Sequence, residues 1–463
     1  MKISLPEKRL LDYMKSASPS KILRDGRKRL IPAVRRAARE VGAYKRLLAE
    51  HSIDIRKIRN EKSFKDNFPL IDKTFFALND LPDLCVGANP KDIRSAMVSS
   101  GFSDAAYSYG LTGRSCYKNA ERQIDFFAYL LFGLTKDTFV INCLGMGTHI
   151  RTAFPFAETS VRPDMVIGLI RKLSGCFAHF LIISNTYFMK KVIEDGVAEG
   201  LDWSKLSVHI IIGEDWFPEN YRSYLARLMG LDLNGQGGKN ILSNFGACEL
   251  GLSLFRENSQ TVNIRRLAEK DMKLKIALFG DIPKPCPILF QYFPFQIFME
   301  EKSGELIFTD LSNDSICPLI RYSTKDKGML YTYDEVKAIL KESGYRGCMP
   351  EMKLPFAAVM GRAGKCIEIG GVSFTPEDVK DGLYGDFEAA GATTGYFRMS
   401  KAQDRLRIEV QLKEKIEPAP ELEKKFSQAI GRNVKTDFEL LLYPHMKFPY
   451  GMGLVYENKF RYI

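Results

Sequence analysis

Between Ser95 and Leu311, apolar runs of strand length alternate with stretches of helical periodicity. A chain patterned this way buries its strands between helices, which confines it to a layered α/β fold. Phe139–Leu144, Phe180–Ile183 and Val208–Ile212 are predicted strands, and the stretches near Met165–Leu173, Met189–Ala198 and Tyr221–Met229 are predicted helices. Gly304 opens a further predicted strand through Asp310, and Ser95–Val98 and Ala105–Tyr109 flank a short small-residue loop. Upstream, Lys21–Glu50 reads as helical with Gly42 as a stop, because apolar residues recur at helical spacing with arginines between them.

After Arg362 the pattern changes to short strands, Cys366–Ile369 and Arg405–Leu412, mixed with helices at Pro376–Leu383 and Pro420–Ile430. With 463 residues the chain exceeds one ordinary core. The expected fold is α/β: a large N-terminal domain, 1–361, with mixed, helix-covered sheets, and a small α+β C-terminal domain, 362–463.

The composition narrows the function classes. No run of about 20 apolar residues occurs, so no membrane span is expected. The first residues carry no apolar signal core, and nine scattered cysteines show no zinc spacing, which together favour reduced thiols in a cytoplasmic setting and no zinc. The net charge of +11 suits a polyanionic small ligand. No nucleic-acid module and no basic–aromatic interleaving accompany it, so no nucleic-acid partner is expected.

Several short segments then follow in a fixed order. Ser99-Ser100-Gly101-Phe102-Ser103-Asp104 lies between two strand-like runs, and small residues there let backbone N–H groups and hydroxyls reach phosphates. Gly110-Leu111-Thr112-Gly113-Arg114 is a second loop of similar composition. Gly213-Glu214-Asp215 ends a buried strand. Asn244-Phe245-Gly246-Ala247-Cys248-Glu249 places an aromatic and a glutamate around a glycine. Gly304–Leu311 is followed by Pro318–Asp326, then Met360-Gly361-Arg362-Ala363-Gly364-Lys365, and last Glu457-Asn458-Lys459-Phe460.

The whole series resembles the adenylate-forming acyl-CoA synthetase superfamily, in particular its phenylacetate–CoA ligase-like branch. Phe68–Lys73 is similar to a further segment of that family. The resemblance implies an ATP-dependent ligase that converts a carboxylic acid, of aryl or arylacetic type, to an acyl-adenylate and passes the acyl group to a thiol such as CoA. It implies that Ser99, Ser100, Gly101 and Ser103 hold phosphates, and that Gly213, Glu214, Asn244, Phe245 and Gly246 form the adenine wall. Asp326 would grip the ribose hydroxyls, which suits an acceptor-only carboxylate, and Arg362 would reach ribose or phosphate. Glu249 would hold Mg²⁺, Lys459 would bridge the acid and the α-phosphate, and His149 and Tyr187 would line the acyl pocket. The region of Gly364 would serve as the hinge of a mobile tail domain.

Other acceptors are an acyl carrier protein, an amine or an enzyme cysteine, and the assembly admits a homodimer. Phe102 and Asp104 stand where the family's loop continues with threonine, glycine and lysine, which motivates a second class, a non-catalytic nucleotide-binding relative. A basic nucleic-acid or membrane-surface binder is the third, motivated by charge alone.

Overall fold

A computed structural model describes residues 4–98, 108–114, 116, 123–145, 148–233, 241–281, 285–362, 365–450 and 460–463. Its strands, in chain order, are β1 (Ile93–Val98), β2 (Tyr109–Gly113), β3 (Thr138–Asn142), β4 (Phe156–Glu158), β5 (His179–Asn185), β6 (Val208–Gly213), β7 (Ile241–Ala247), β8 (Gly251–Arg256) and β9 (Ile288–Tyr292). There follow β10 (Ile297–Lys302), β11 (Glu305–Asp310), β12 (Tyr322–Tyr331), β13 (Phe356–Arg362), β14 (Ile367–Ile369), β15 (Val372–Phe374), β16 (Thr393–Ala402), β17 (Arg405–Leu412) and β18 (Phe438–Tyr443).

Eleven of these form one sheet in the order β10-β11-β12-β13-β9-β8-β7-β6-β5-β3-β4. From β4 to β7 the neighbours are parallel, and from β7 to β10 they are antiparallel. The parallel half needs crossover helices, and the chain supplies them at Pro163–Leu173, Thr186–Ala198 and Glu219–Leu228. Ile182, Ile210, Phe188, Val192, Phe217 and Leu225 pack between these helices and the sheet. The antiparallel half has its own core, centred on Phe255, Phe290, Leu306 and Phe308.

Residues from Ile367 onward make a separate core of Val379, Phe397, Ile408, Val410, Phe426 and Leu440. There the helices Pro376–Tyr384 and Pro420–Gly431 cover the sheet β16-β17-β18. Among the described residues no helix is long and apolar enough to cross a membrane.

Two sequence expectations change. Gly42 does not stop a helix; the helix Leu30–Glu40 ends at Val41 and Gly42 begins the next, Gly42–Glu50. The glycine is there for space, because a Cβ would meet the Asp83 carboxylate at 2.6 Å. The second candidate loop, Gly110–Arg114, is largely strand β2. Gly110 lets that strand approach the turn between β7 and β8, where a Cβ would strike the Cys248 carbonyl. β1 and β2 pair antiparallel, with Val98 opposite Tyr109. Ser99, Ser100, Gly101 and Ser103 themselves lie outside the described residues.

Candidate active site

Strand ends of the large sheet wall one cavity. β6 stops at Gly213, and Glu214 takes a left-handed backbone (φ 70°), rare for a residue with a side chain. The turn is closed by Asp215 N–H donating to Gly213 O at 2.9 Å, and it presents Glu214, Asp215 and Trp216 to the cavity. β7 contributes Ser243, Asn244, Phe245 and Gly246. The Phe245 ring lies 5.0 Å from Phe255 and 6.1 Å from Phe308, nearly parallel to both, so the core fixes its plane. Gly246 is obligatory on contact grounds, since a Cβ would meet the Leu252 carbonyl carbon at 2.3 Å.

From the antiparallel half, Asp326 on β12 stands opposite Arg362 on β13, with Arg362 Nε donating to Asp326 Oδ1 at 3.4 Å. Both line the cavity, and Asp326 is buried. Asn185 and Tyr187 enter from the start of the helix Thr186–Ala198. The remaining wall comes from beyond residue 362: Lys365, Pro376, Glu377, Phe460 and Tyr462. Trp216 is buried in this wall and its indole Nε1 has no acceptor, an unused donor at the edge of the space.

A buried polar joint ties the tail to the body. Lys380 Nζ donates to Asp215 Oδ2 at 2.7 Å and to Trp216 O at 3.3 Å, and Tyr187 OH donates to the same Asp215 oxygen at 2.6 Å. Lys190 donates to Thr393 O and to Glu194, both at 2.7 Å, and burial pulls its pKa down to about 8. Lys413 reaches Glu194 at 2.8 Å, and Asn220 donates to the Asp381 carbonyl and carboxylate. The Phe460 ring packs 3.8 Å from Tyr187 and 4.3 Å from Tyr396, spanning the joint.

Glu249 is not among the residues lining this cavity. Its carboxylate accepts from Tyr322 OH at 2.5 Å and from Ser108 Oγ at 3.1 Å. Tyr322 begins the strand that carries Asp326, and Ser108 directly precedes strand β2. Burial and the neighbouring carboxylate push the Tyr322 phenol pKa well up, so its hydroxyl stays a donor. His149 lies apart: its side chain is exposed and its Nδ1 meets Glu158 at 2.8 Å. Lys459 and Gly364 lie outside the described residues, although Phe460, next in sequence to Lys459, lines the cavity.

Sequence reasoning missed Asp215, Lys380, Glu377, Trp216 and Tyr462. Only Asp215 carried a signal, its adjacency to Glu214. It also missed a buried cluster behind the wall. Arg222 donates to both Glu219 and Glu257, and Arg265 donates to Glu219 at 3.0 Å and to the carbonyls of Phe217 and Cys286. Glu257 in turn accepts from the Ser243 N–H at 2.6 Å, so this cluster positions two segments of the cavity wall.

No family model matches the chain, and no curated protein matches it in sequence. Solved structures match in fold. A 2-hydroxyisobutyryl-CoA ligase in its postadenylation state, in complex with 2-HIB-AMP, superposes with a TM-score of 0.70 over 97% of this chain and 91% of that one, at 13% identity. The same ligase in its thioesterification state, with 2-HIB-AMP and CoA, gives 0.56 over 93% and 88%, again at 13% identity. An open conformation with the same ligands gives 0.58 over 97% and 92%, at 12% identity. The chain thus has the mixed α/β fold of the adenylate-forming ligases.

Proposed function

We propose that this protein is an AMP-forming acid–thiol ligase of the phenylacetate–CoA ligase-like type, with a body of residues 1–361 and a mobile module of residues 362–463. The observation that carries this reading is the cavity itself. Glu214, Asn244, Phe245, Gly246, Asp326 and Arg362 come from segments far apart in sequence, yet all line one space closed by the tail.

In this reading adenine lies along β7 against Phe245, and the ribose diol donates to Asp326. An acid, of aryl or arylacetic type, attacks the α-phosphorus of ATP with its carboxylate. Pyrophosphate leaves, and the acyl-adenylate stays under the tail wall of Phe460 and Tyr462. A thiol, CoA by preference, then displaces AMP after the tail module has moved. Excluding water between the steps is the task of the joint around Asp215, since an acyl-adenylate hydrolyses once exposed. A cytoplasmic location and a homodimer belong to the same reading.

The Glu249 carboxylate fits a magnesium site. Two hydroxyl donors orient it and leave further lone pairs, and Mg²⁺ takes most of its oxygens from phosphates and water. Among the described residues there is no cluster of three metal-binding side chains, so Glu249 would act with the nucleotide's own oxygens. When bound, the ion would offset charge on the phosphates.

Asp326→Ala tests the pocket. Losing two hydrogen bonds to a charged acceptor, at about 1.5 kcal/mol each, should lower kcat/KM for ATP by about 100-fold in acid-dependent pyrophosphate release. An unchanged value would remove the ribose assignment. Adding CoA, carrier protein or amine to the same assay distinguishes the acceptors, and absence of any acid-dependent release would favour the non-catalytic relative.

A further inference from the structure

Three side chains on one face of the helix Thr186–Ala198 meet the tail. Tyr187, Lys190 and Glu194 stand three and four positions apart, the spacing that aligns side chains along one stripe of a helix. Of the three, only Tyr187 lines the cavity. Glu194 gathers three donors. Its Oε1 accepts from Lys190 Nζ at 2.7 Å and from Tyr224 OH, and its Oε2 pairs with Lys413 Nζ at 2.8 Å. Lys190 and Tyr224 belong to the body, Lys413 to the tail. Lys190 crosses the same boundary, donating to Thr393 O at 2.7 Å. The Lys190 side chain is 1% exposed and that of Glu194 12%, so these contacts are little screened by solvent. A buried ammonium needs acceptors, and Lys190 takes one of its two from the tail.

The tail partners sit at one end of one hairpin. Thr393 begins β16 and stands opposite Leu412, which ends β17. Lys413 follows Leu412, and its N–H donates to Ala392 O at 2.9 Å. The strand passes directly beside the body helix: a Cβ on Gly395 would lie 3.6 Å from the Tyr187 ring and 3.9 Å from the Lys190 side chain. From this anchored end β16 runs on to the C-terminal segment. Tyr396 stacks on Phe460 at 4.3 Å, Arg398 donates to Arg461 O at 2.8 Å, and the Met399 N–H donates to Tyr462 O at 2.6 Å. One strand therefore connects the Glu194 cluster to Phe460 and Tyr462, which close the cavity.

We propose that Glu194 is a positioning residue for the adenylation half-reaction: with Lys190 and Lys413 it clamps the end of the β16–β17 hairpin, and the hairpin holds Phe460 and Tyr462 over the reactants. Glu194 itself touches no reactant. The clamp has partners on both modules, so it forms only while the tail sits as it does here. Its free energy favours that arrangement over any other and counts toward the first half-reaction alone. This inference rests on the adenylation reading and adds to it the residue that holds the tail in the acyl-adenylate-forming state.

The test uses the full-length protein and cuts the clamp from each side. Lys413→Met removes the tail's cation from a partly exposed position, and Glu194→Gln removes the body's charge while keeping its shape. In pyrophosphate release with benzoate or phenylacetate, each variant should lose about 10- to 100-fold in kcat, the loss that follows from misplacing a reacting site by about 1 Å, with KM for ATP little changed. Lys413→Arg should recover most of the rate. The double variant should lose no more than the worse single one, because both cut one contact. From preformed acyl-adenylate and CoA, transfer should run at or above the wild-type rate. Equal losses in both half-reactions, or no loss in the first, would overturn the inference and assign the cluster to folding. Calorimetry supplies a readout without turnover. The tail has a core of its own, so cutting the clamp should move its melting transition several degrees further from that of the body than in the wild type. If no acid releases pyrophosphate, the adenylation reading fails alone: a wider separation in both variants still supports the clamp, and an unchanged separation overturns the clamp too.

Discussion

Lys459→Ala should lower acid-dependent pyrophosphate release by about 100- to 1000-fold in kcat, the loss typical when one preorganised charge at a developing oxyanion is removed. The expectation follows from the residue's neighbours. Phe460 is wedged against Tyr187 and Tyr396, and Tyr462 O accepts from the Met399 N–H at 2.6 Å. Arg398 donates to the Arg461 carbonyl at 2.8 Å. The segment that follows Lys459 is therefore pinned to both the body and the tail sheet. A lysine is a compact point charge, and its task in the proposed reaction is to neutralise the α-phosphate and the attacking carboxylate while they approach. The control is the second half-reaction: supplied with preformed acyl-adenylate and thiol, the variant should transfer the acyl group at close to the wild-type rate. Equal losses in both halves would mean that the substitution disturbs the tail as a whole, and no loss in the first would remove Lys459 from the mechanism.

Glu219→Ala should be the most damaging single change to stability, by roughly 3–5 kcal/mol, because it breaks a buried ion cluster by taking away one partner only. Glu219 accepts from Arg222 Nε at 3.1 Å and from Arg265 Nη1 at 3.0 Å, and both guanidinium groups are fully buried. Without it, Arg222 keeps Glu257, but Arg265 retains only the carbonyls of Phe217 and Cys286. At about 2 °C per kcal/mol for a large domain, the melting temperature should fall by roughly 6–10 °C. Glu219→Gln, which keeps the shape and one acceptor, should lose less. A loss below about 1 kcal/mol in urea unfolding would show that water or another group replaces the carboxylate.

Why some of this was legible in the sequence and some was not has a physical basis. Strand–helix alternation is local, so the elements from Thr138 to Leu228 and from Ile367 to Gly431 could be read from periodicity. The short segments around Glu214, Phe245, Asp326 and Arg362 are also local, since each lies within or just past one strand of the large sheet. The joint between body and tail is different. Asp215 and Lys380 are 165 positions apart and Lys190 and Thr393 are 203 apart, and nothing near any of them marks its partner. Gly110–Arg114 could stand only as a second candidate loop, because a glycine needed for close approach has the same spelling as one needed for a phosphate loop.

Strand β7 is where the two halves of the great sheet meet, parallel to β6 on one side and antiparallel to β8 on the other. Ser243–Gly246 can take up its final shape only once the crossover half and the hairpin half have both assembled on it. Nucleotide affinity would then be the last property such a chain acquires as it matures, and the first it surrenders when either half loosens.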